Sequence, residues 1–308
     1  LFSLTVFPEV FPDPFAGLLV SVMIYALGGG LLEVLVSPVV EACPTDNKES
    51  TMGLLHSFYC WGHVGVVLLS TIFFTAFGIQ NWKVLAVCWA ALPLINAVIF
   101  KFVPIASLIE EGEKGFSFKE LIHKKLFWTL LLLMMCAGAC EHVVAQWASA
   151  FAEQGLGVSK TIGDLAGPML FAVAMGSSRV FYSKYGDKYD LNKYMLASAG
   201  LCIISYLLIS LSPFAVLGFL GCGLCGISVG VLWPGTFSLA AKTLRKGGTL
   251  MFALLALAGD LGCSAGPTLV GTVSSAFGND LKIGIGSALI FPLLLIAGLI
   301  LNAHTRVE

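Results

Sequence analysis

Nine runs of predominantly apolar residues, each long enough to cross a membrane, follow one another along the chain with short polar breaks between them. An apolar helix needs roughly 20 residues to cross the hydrocarbon core, where backbone groups must be bonded within the helix or in a closed barrel. The runs do not alternate in polarity as barrel strands do. We therefore predict an all-α polytopic membrane protein, with spans at residues 15–40, 52–77, 83–103, 126–150, 161–182, 194–211, 214–239, 249–277 and 281–303.

Charged residues make up only 11% of the chain, and their positions predict its orientation. If the polar segment around Glu110 is cytoplasmic, three Lys residues lie in outside segments, namely Lys83, Lys160 and Lys282, and fourteen Lys and Arg residues lie inside. Cytoplasmic loops carry an excess of Lys and Arg. We therefore expect a multi-pass protein of the cytoplasmic (inner) membrane with its carboxyl terminus in the cytoplasm. The inside set is Lys48, Lys101, Lys114, Lys119, Lys124, Lys125, Arg179, Lys184, Lys188, Lys193, Lys242, Arg245, Lys246 and Arg306.

A pattern of small residues recurs 195 to 200 residues apart, which predicts two homologous halves. Subtracting this offset from Leu126 leaves room for three helices upstream of Leu1. We expect residues 1–103 to be the last three helices of a six-helix half, residues 104–125 a central cytoplasmic linker, and residues 126–308 the second half, so that nine of twelve helices are present. The recurring residues are Pro38, Gly53 and Ala76-Phe77-Gly78, matched by Pro234, Gly248 and Ala276-Phe277-Gly278.

Three short motifs are similar to those of one transporter family. They read Leu31-Leu32-Glu33 followed by Ser37-Pro38, then Leu55-His56-Ser57-Phe58-Tyr59 followed by Gly62, and finally Trp233-Pro234-Gly235-Thr236-Phe237-Ser238-Leu239. In these motifs the chain resembles the fucose permease branch of the major facilitator superfamily. The resemblance implies the major facilitator fold and symport of a sugar with protons. It also implies that Glu33 takes part in proton coupling and substrate binding.

The chain departs from the pattern of that branch at three positions. Ser37, His56 and Tyr59 stand where the branch has Asn, Gln and Asn. The side chains that face substrate therefore differ, and the identity of the sugar stays open. Because the branch is also similar to sodium-coupled glucose carriers, sodium is the alternative to protons as the coupling ion.

Glu33 lies in the middle of a predicted span, after Gly28-Gly29-Gly30 and with no basic residue one or two helical turns away. A carboxyl group in a medium of low dielectric constant favours its neutral form. Such a group can accept a proton from one side and release it to the other, and its protonated form can donate a hydrogen bond to a sugar hydroxyl. We predict proton coupling and substrate binding at Glu33. A packing contact with another helix is the alternative.

Polar side chains also form a stripe on the second span. His56, Tyr59, Cys60 and His63 fall at positions i, i+3, i+4 and i+7, so they share one helix face. A polar stripe on a membrane helix either faces a water-filled cavity or bonds to a neighbouring helix. We predict that His56 and Tyr59 bind substrate, whereas the two readings are equally weighted for His63.

The second half carries a further polar cluster, which is followed along the chain by a Trp-Pro pair. Glu141, Gln146 and Trp147 could bind a sugar, with the indole stacked on its apolar face. A structural pair between Glu141 and another helix is equally weighted. Trp233 either stacks on a sugar ring or fills the core, and Pro234 is expected to bend its helix.

Two further ionisable residues suggest gating. Arg179 lies near the cytoplasmic end of its predicted span, and with Gly186-Asp187-Lys188 it resembles a degenerate copy of a loop motif of the superfamily. We expect a gating salt bridge there, with a positive-inside anchor as the alternative. Asp260 lies among small residues that permit close helix approach, which favours a packing or gating contact.

The same spans argue against an enzyme. Intramembrane hydrolases use paired aspartates, a Ser and His arrangement or an H-E-x-x-H helix, and the sequence has none of these patterns. Cys222 and Cys225 lie in a glycine-rich apolar stretch without a second ligand pair, so we interpret them as packing residues rather than metal ligands. No organic cofactor, metal or nucleic-acid partner is implied.

We therefore expect an alternating-access importer of a sugar or similar polyol that is driven by protons and works as a monomer in the lipid bilayer. The alternatives are an exporter or uniporter of another small solute, and a sensor that uses the same fold without transport.

Overall fold

The computed structural model describes residues 1–106, 115–156 and 159–305. These residues form α-helices joined by short turns and contain no strand, which confirms the all-α prediction. The helices are α1 (Phe2–Val10), α2 (Pro14–Ala42), α3 (Lys48–Phe77), α4 (Trp82–Phe100), α5 (Phe118–Ile122), α6 (Lys125–Leu156), α7 (Lys160–Tyr185), α8 (Leu191–Leu211), α9 (Ala215–Val229), α10 (Leu232–Thr243), α11 (Gly248–Ala276), α12 (Leu281–Ser287) and α13 (Ile290–Thr305).

Eight helical segments of the described chain are long and apolar enough to cross a membrane. They coincide with eight of the nine predicted spans. The ninth predicted span, residues 161–182, lies within α7, which has 26 residues but contains more small and charged side chains than the other segments. The count of nine is thus consistent with the helices that the chain forms.

Two of the predicted spans are each divided into two helices. Gly230 and Val231 separate α9 from α10, and Ala288 and Leu289 separate α12 from α13. The sequence predicts a bend at Pro234, but Pro234 lies in the first turn of α10, where a missing N–H costs no helical hydrogen bond. The helix therefore breaks just before Pro234, at Gly230 and Val231.

The core of the bundle is built on the close packing of α6 against α11. A Cβ atom on Gly262 would lie 2.8 Å from the carbonyl carbon of Met135, and one on Gly266 would lie 3.0 Å from the carbonyl oxygen of Ala139. Glycine at these positions lets the two backbones approach, as is usual between membrane helices. Cys222 and Cys225 are buried within the bundle, as expected of packing side chains.

The first helices of the chain pack more loosely than the rest. α2, α3 and α4 have few buried residues, whereas most of α6 is buried. Three main contacts join these helices to the later ones: α3 lies along α7, α3 meets α10, and α2 meets α11. The candidate site lies at this junction.

The predicted linker contains one short described helix. Ser117 caps α5 and forms a reciprocal capping box with Glu120. The backbone N–H of Phe116 donates to the carbonyl of Lys246 at 2.8 Å, which ties the segment to the turn between α10 and α11. Residues 107–114 lie outside the described chain, and so do Glu110, Lys114 and Arg306 of the orientation argument. The three-part division and the membrane orientation stay predictions.

Candidate functional site

A cavity of about 490 Å³ lies at the junction of α2, α3, α6, α7, α10 and α11. Seven of the nine residues that the sequence nominates for substrate binding, coupling or gating line it, although they come from six helices far apart in the chain. The seven are Glu33, His56, Tyr59, Glu141, Arg179, Trp233 and Asp260.

Glu33 enters this cavity from α2 and is partly buried. The charged side chains that act on it most strongly are Asp260 and Glu141, both of them acidic. Its carboxyl group makes no hydrogen bond or ion pair with the described residues. Arg179 lines the same cavity, but its ion pair is with Glu141 and not with Glu33.

Arg179 is the most highly connected polar side chain of the site, and it is only 2% exposed. Its Nη2 donates to the Oε2 of Glu141 at 2.9 Å, which forms a buried ion pair. Its Nη1 donates to the carbonyl of His56 at 2.8 Å and to the Sγ of Cys60 at 3.2 Å. Its Nε donates to the carbonyl of Gly230 at 2.9 Å, just where α9 ends. One guanidinium thus joins α3, α6 and the break after α9.

The structure decides between the two sequence-based interpretations of this side chain. The sequence predicts a salt bridge with a gating role at Arg179, with a positive-inside anchor as the alternative; the structure forms a salt bridge with Glu141, and the gating role stays a prediction. A side chain that is almost fully buried and paired with Glu141 cannot be a surface anchor. The pairing follows from physical chemistry, because a charge inside a helical bundle is stable only with a hydrogen-bonded counter-charge.

His56 connects α3 to α2 and to α10. Its Nε2 lies 3.4 Å from the Oγ of Ser37 on α2, within hydrogen-bonding distance. Its ring stacks on Phe237 of α10, with the ring centroids 5.8 Å apart. Ser37 and His56, two of the three departures from the branch pattern, therefore contact each other, so the two changes form one local arrangement.

A second cavity of about 510 Å³ continues from the first between α3, α6 and α7. Tyr59, Glu141 and His142 line both cavities. His63 and Gln146 lie in the second cavity and not in the first. The polar face predicted on α3 is thus real, but it is divided between two spaces.

The two tryptophans have different surroundings. Trp233 lines the first cavity, lies edge-on to Phe237 with 6.2 Å between centroids, and covers Gly259 of α11. Trp147 lies outside the linings of both cavities, and its indole N–H donates to the carbonyl of Pro267 at 3.3 Å. In this structure Trp147 packs α6 against α11, so substrate stacking there stays a prediction without a supporting contact.

Sequence reasoning missed a polar cluster at one end of the α3–α7 contact. Glu49, at the start of α3, forms an ion pair with Lys242 of α10 and accepts a hydrogen bond from the hydroxyl of Tyr182 of α7 at 2.9 Å. Ser50 donates to the carbonyl of Ser183 beside it. The available signal was the turn that contains Lys48, where Glu41, Asp46 and Glu49 outnumber the one basic residue although the orientation argument places Lys48 inside. We call Glu49, Tyr182 and Lys242 the end cluster.

Comparison with known proteins identifies the family. The model of the Major Facilitator Superfamily matches residues 1–267. No curated protein matches the sequence. Similar solved structures include the fucose:proton symporter FucP of E. coli, at 16% identity and a TM-score of 0.77 over 98% of this chain and 82% of that chain. FucP in the outward conformation gives 15% identity and a TM-score of 0.79 over 98% and 80%.

A bacterial homolog of the human lysosomal transporter Spinster, in an inward-facing and occupied conformation, is less similar, at 16% identity and a TM-score of 0.64 over 99% of this chain and 80% of that chain. At these identities the structural likeness shows the fold, and it agrees with the motifs that resemble the fucose permease branch. By the family match over most of its length, the chain belongs to the Major Facilitator Superfamily.

Proposed function

We propose that the protein is a secondary active transporter that imports a sugar or similar polyol together with protons, by alternating access between its two halves. The observation that carries the proposal is Glu33, an unpaired carboxyl group in a cavity between α2 of the first half and α6 and α11 of the second. A carboxyl group in such a place is costly unless it binds a proton, an ion or a ligand.

Proton binding and substrate binding can occur at the same carboxyl group. When Glu33 is protonated, its O–H can donate a hydrogen bond to a sugar hydroxyl, and its loss of charge removes repulsion from Asp260 and Glu141. After the halves rock and the cavity opens to the other side, the proton and the solute leave together. This order makes uptake depend on an inward proton gradient.

The remaining cavity residues suit a polyol. Trp233 and the half-exposed ring of Tyr59 offer flat apolar faces for a sugar ring, and His56 offers a polar edge. Glu141 and Gln146 extend the polar lining into the second cavity, so they are candidates for contacts along the path of the solute.

Gating is assigned to contacts that cross between the halves. Arg179 holds α3 to α6, and the end cluster holds α3 to α7 and α10. These contacts must break when the cavity opens to the side of the membrane where the end cluster lies. We assign the end cluster to the cytoplasmic side, because the charge distribution places the start of α3 and the carboxyl terminus there. Asp260 on the wall of the cavity moves with α11 in the same step.

The fold similarity to the fucose:proton symporter FucP, together with the motifs that resemble the fucose permease branch, supports this proposal. Uptake in proteoliposomes tests it. Labelled hexoses and 6-deoxyhexoses are offered with and without an inward proton gradient to the parent protein and to Glu33→Gln, with Glu9→Gln, an exposed carboxylate outside the cavity, as the matched control.

The proposal expects at least one sugar to accumulate with the gradient in the parent and in Glu9→Gln. In Glu33→Gln the same sugar should lose its response to the gradient. If no sugar moves, the polyol assignment fails. If Glu33→Gln responds to the gradient as the parent does, the coupling role of Glu33 fails.

A further inference from the structure

The charges that face the 490 Å³ cavity do not balance. Three carboxyl groups line it: Glu33 from α2, Glu141 from α6 and Asp260 from α11. Among the described lining residues, Arg179 is the one guanidinium or ammonium group. Glu141 and Arg179 neutralise each other at 2.9 Å.

Four of the five N–H groups of Arg179 already donate to acceptors on α3, α6 and the end of α9. None of these bonds goes to Glu33 or Asp260. Glu33 on α2 and Asp260 on α11 line the cavity without an ion pair to any described residue. Asp260 comes from the second half and Glu33 from the first, so the two walls have the same sign.

Two histidines are the other titratable nitrogen-bearing groups at this cavity. His56 lies beside Ser37 and stacks on Phe237, and its carbonyl accepts from Nη1 of Arg179. His142 lies on α6, and its buried Nδ1 has no hydrogen-bond partner among the described residues. Each histidine can form hydrogen bonds with a solute, and neither forms an ion pair with Glu33 or Asp260 in the described part of the chain.

We propose that Asp260, facing Glu33, sets the charge selectivity of this cavity: it admits neutral polyols and cationic solutes such as protonated amines, and it rejects anions such as uronates and sugar phosphates. This inference rests on the proposed function and names the solute class of the same site. A low-dielectric cleft lined by one sign of charge raises the local concentration of the opposite sign and repels its own. Repulsion of the wrong class is as effective a source of specificity as attraction of the right one.

A native cysteine can serve as a probe of the electrostatic potential in this cavity. Cys263 lies one helical turn after Asp260 on α11 and lines the same cavity. The two exposed cysteines, Cys43 and Cys88, are replaced by Ser, and the other six are buried. The rate of modification of Cys263 is then measured with a cationic reagent, trimethylammonioethyl methanethiosulfonate, and with an anionic one, sulfonatoethyl methanethiosulfonate.

The ratio of the two rates, divided by the same ratio for a free thiol in solution, reports the local potential. The thiolate fraction of Cys263 is common to both reagents and cancels from this ratio. We expect the parent to favour the cation by ~10-fold or more, the effect of a carboxylate within about one helical turn of the probe. Asp260→Asn should lower the ratio several-fold, whereas Glu9→Gln should leave it unchanged.

A second probe is Val36→Cys in a chain that also carries Cys263→Ser. It measures the electrostatic potential of the same cavity from α2, and it is used if Cys263 reacts too slowly. A corrected ratio near one at both probes in the parent would overturn the proposal, and so would a ratio that Asp260→Asn does not change.

Uptake of matched sugars separates this inference from the proposed function. Glucose, glucosamine and glucuronate differ mainly in charge, and the galactose and mannose series provide the same comparison. Uptake of the neutral or amino member with at least tenfold slower uptake of the uronate is the expected result. Equal uptake of the uronate would overturn the charge selectivity and leave transport intact, whereas no uptake of any member would overturn the proposed function itself.

Discussion

Replacement of Arg179 by Met should destabilise the protein more than any comparable change on its surface. The change removes a charged donor from the carbonyls of His56 and Gly230, and hydrogen bonds that involve charged groups contribute about 1.5–3 kcal/mol each. It also leaves Glu141 buried without its counter-charge. Because bonds that share one donor are not additive, we expect a total of about 3–5 kcal/mol, as for other broken buried pairs.

The same ion pair allows a second stability prediction, for the double variant. If the uncompensated carboxylate causes much of the loss, then Glu141→Gln in the Arg179→Met chain should recover about 1–3 kcal/mol, although it removes a further native group. Lys83→Met is the matched control. It breaks the ion pair between Lys83 and Glu9, in which the two side chains are 39% and 66% exposed. Ion pairs that are this exposed contribute about 0–1 kcal/mol.

Melting of the purified variants in one detergent measures the order. Because membrane proteins often unfold irreversibly, the ranking at a fixed heating rate is the quantity to compare. We expect the parent and Lys83→Met to melt together, the double variant to melt lower, and Arg179→Met to melt lowest. If Arg179→Met melts with the control, or if Glu141→Gln lowers its melting temperature further, the buried pair does not have the energetic role argued for it.

Two further predictions concern helix contacts. Gly262→Ala should lower the melting temperature, because a Cβ there would lie 2.8 Å from the carbonyl carbon of Met135 and overpacking costs about 1–3 kcal/mol. Gly28→Ala is the control and should not lower it, since no atom lies within 4 Å of its added Cβ. Equal melting of the two variants would contradict the packing of α6 on α11. Glu49→Gln should weaken the end cluster and increase the rate at which a maleimide labels Ser183→Cys at the α3–α7 contact. Glu9→Gln is the control and should leave the labelling rate unchanged. An unchanged rate in Glu49→Gln would show that the end cluster does not hold this end of the bundle closed.

The sequence was sufficient for the helices and for most of the cavity. Runs of apolar residues determine spans because the bilayer fixes their length. Glu33, His56 and Asp260 could be nominated one at a time, because a polar group in an apolar span needs a reason to be there. Their convergence on one cavity depends on the fold, and the resemblance to a family of known architecture supplied that.

Three features depend on how helices turn against each other, which no single helix encodes. Arg179 pairs with Glu141 because α6 and α7 present those faces to each other. The spacing of the two residues along the chain does not predict which faces meet. Trp147 is one residue from Gln146, and a rotation of about 100° directs it to α11 instead of a cavity. The end cluster joins three helices through side chains that look like ordinary loop charges in the sequence.

The central claim is that a solute and a proton cross together through the cavity that contains Glu33. The most direct test is the proton flux that sugar itself causes. Proteoliposomes are held without an imposed gradient, the transported sugar is added outside, and external pH is recorded. The account predicts that the medium becomes more alkaline with the parent and stays constant with Glu33→Gln, although that variant still exchanges labelled for unlabelled sugar. Sugar movement without proton movement in the parent, or unchanged proton movement in Glu33→Gln, would contradict it.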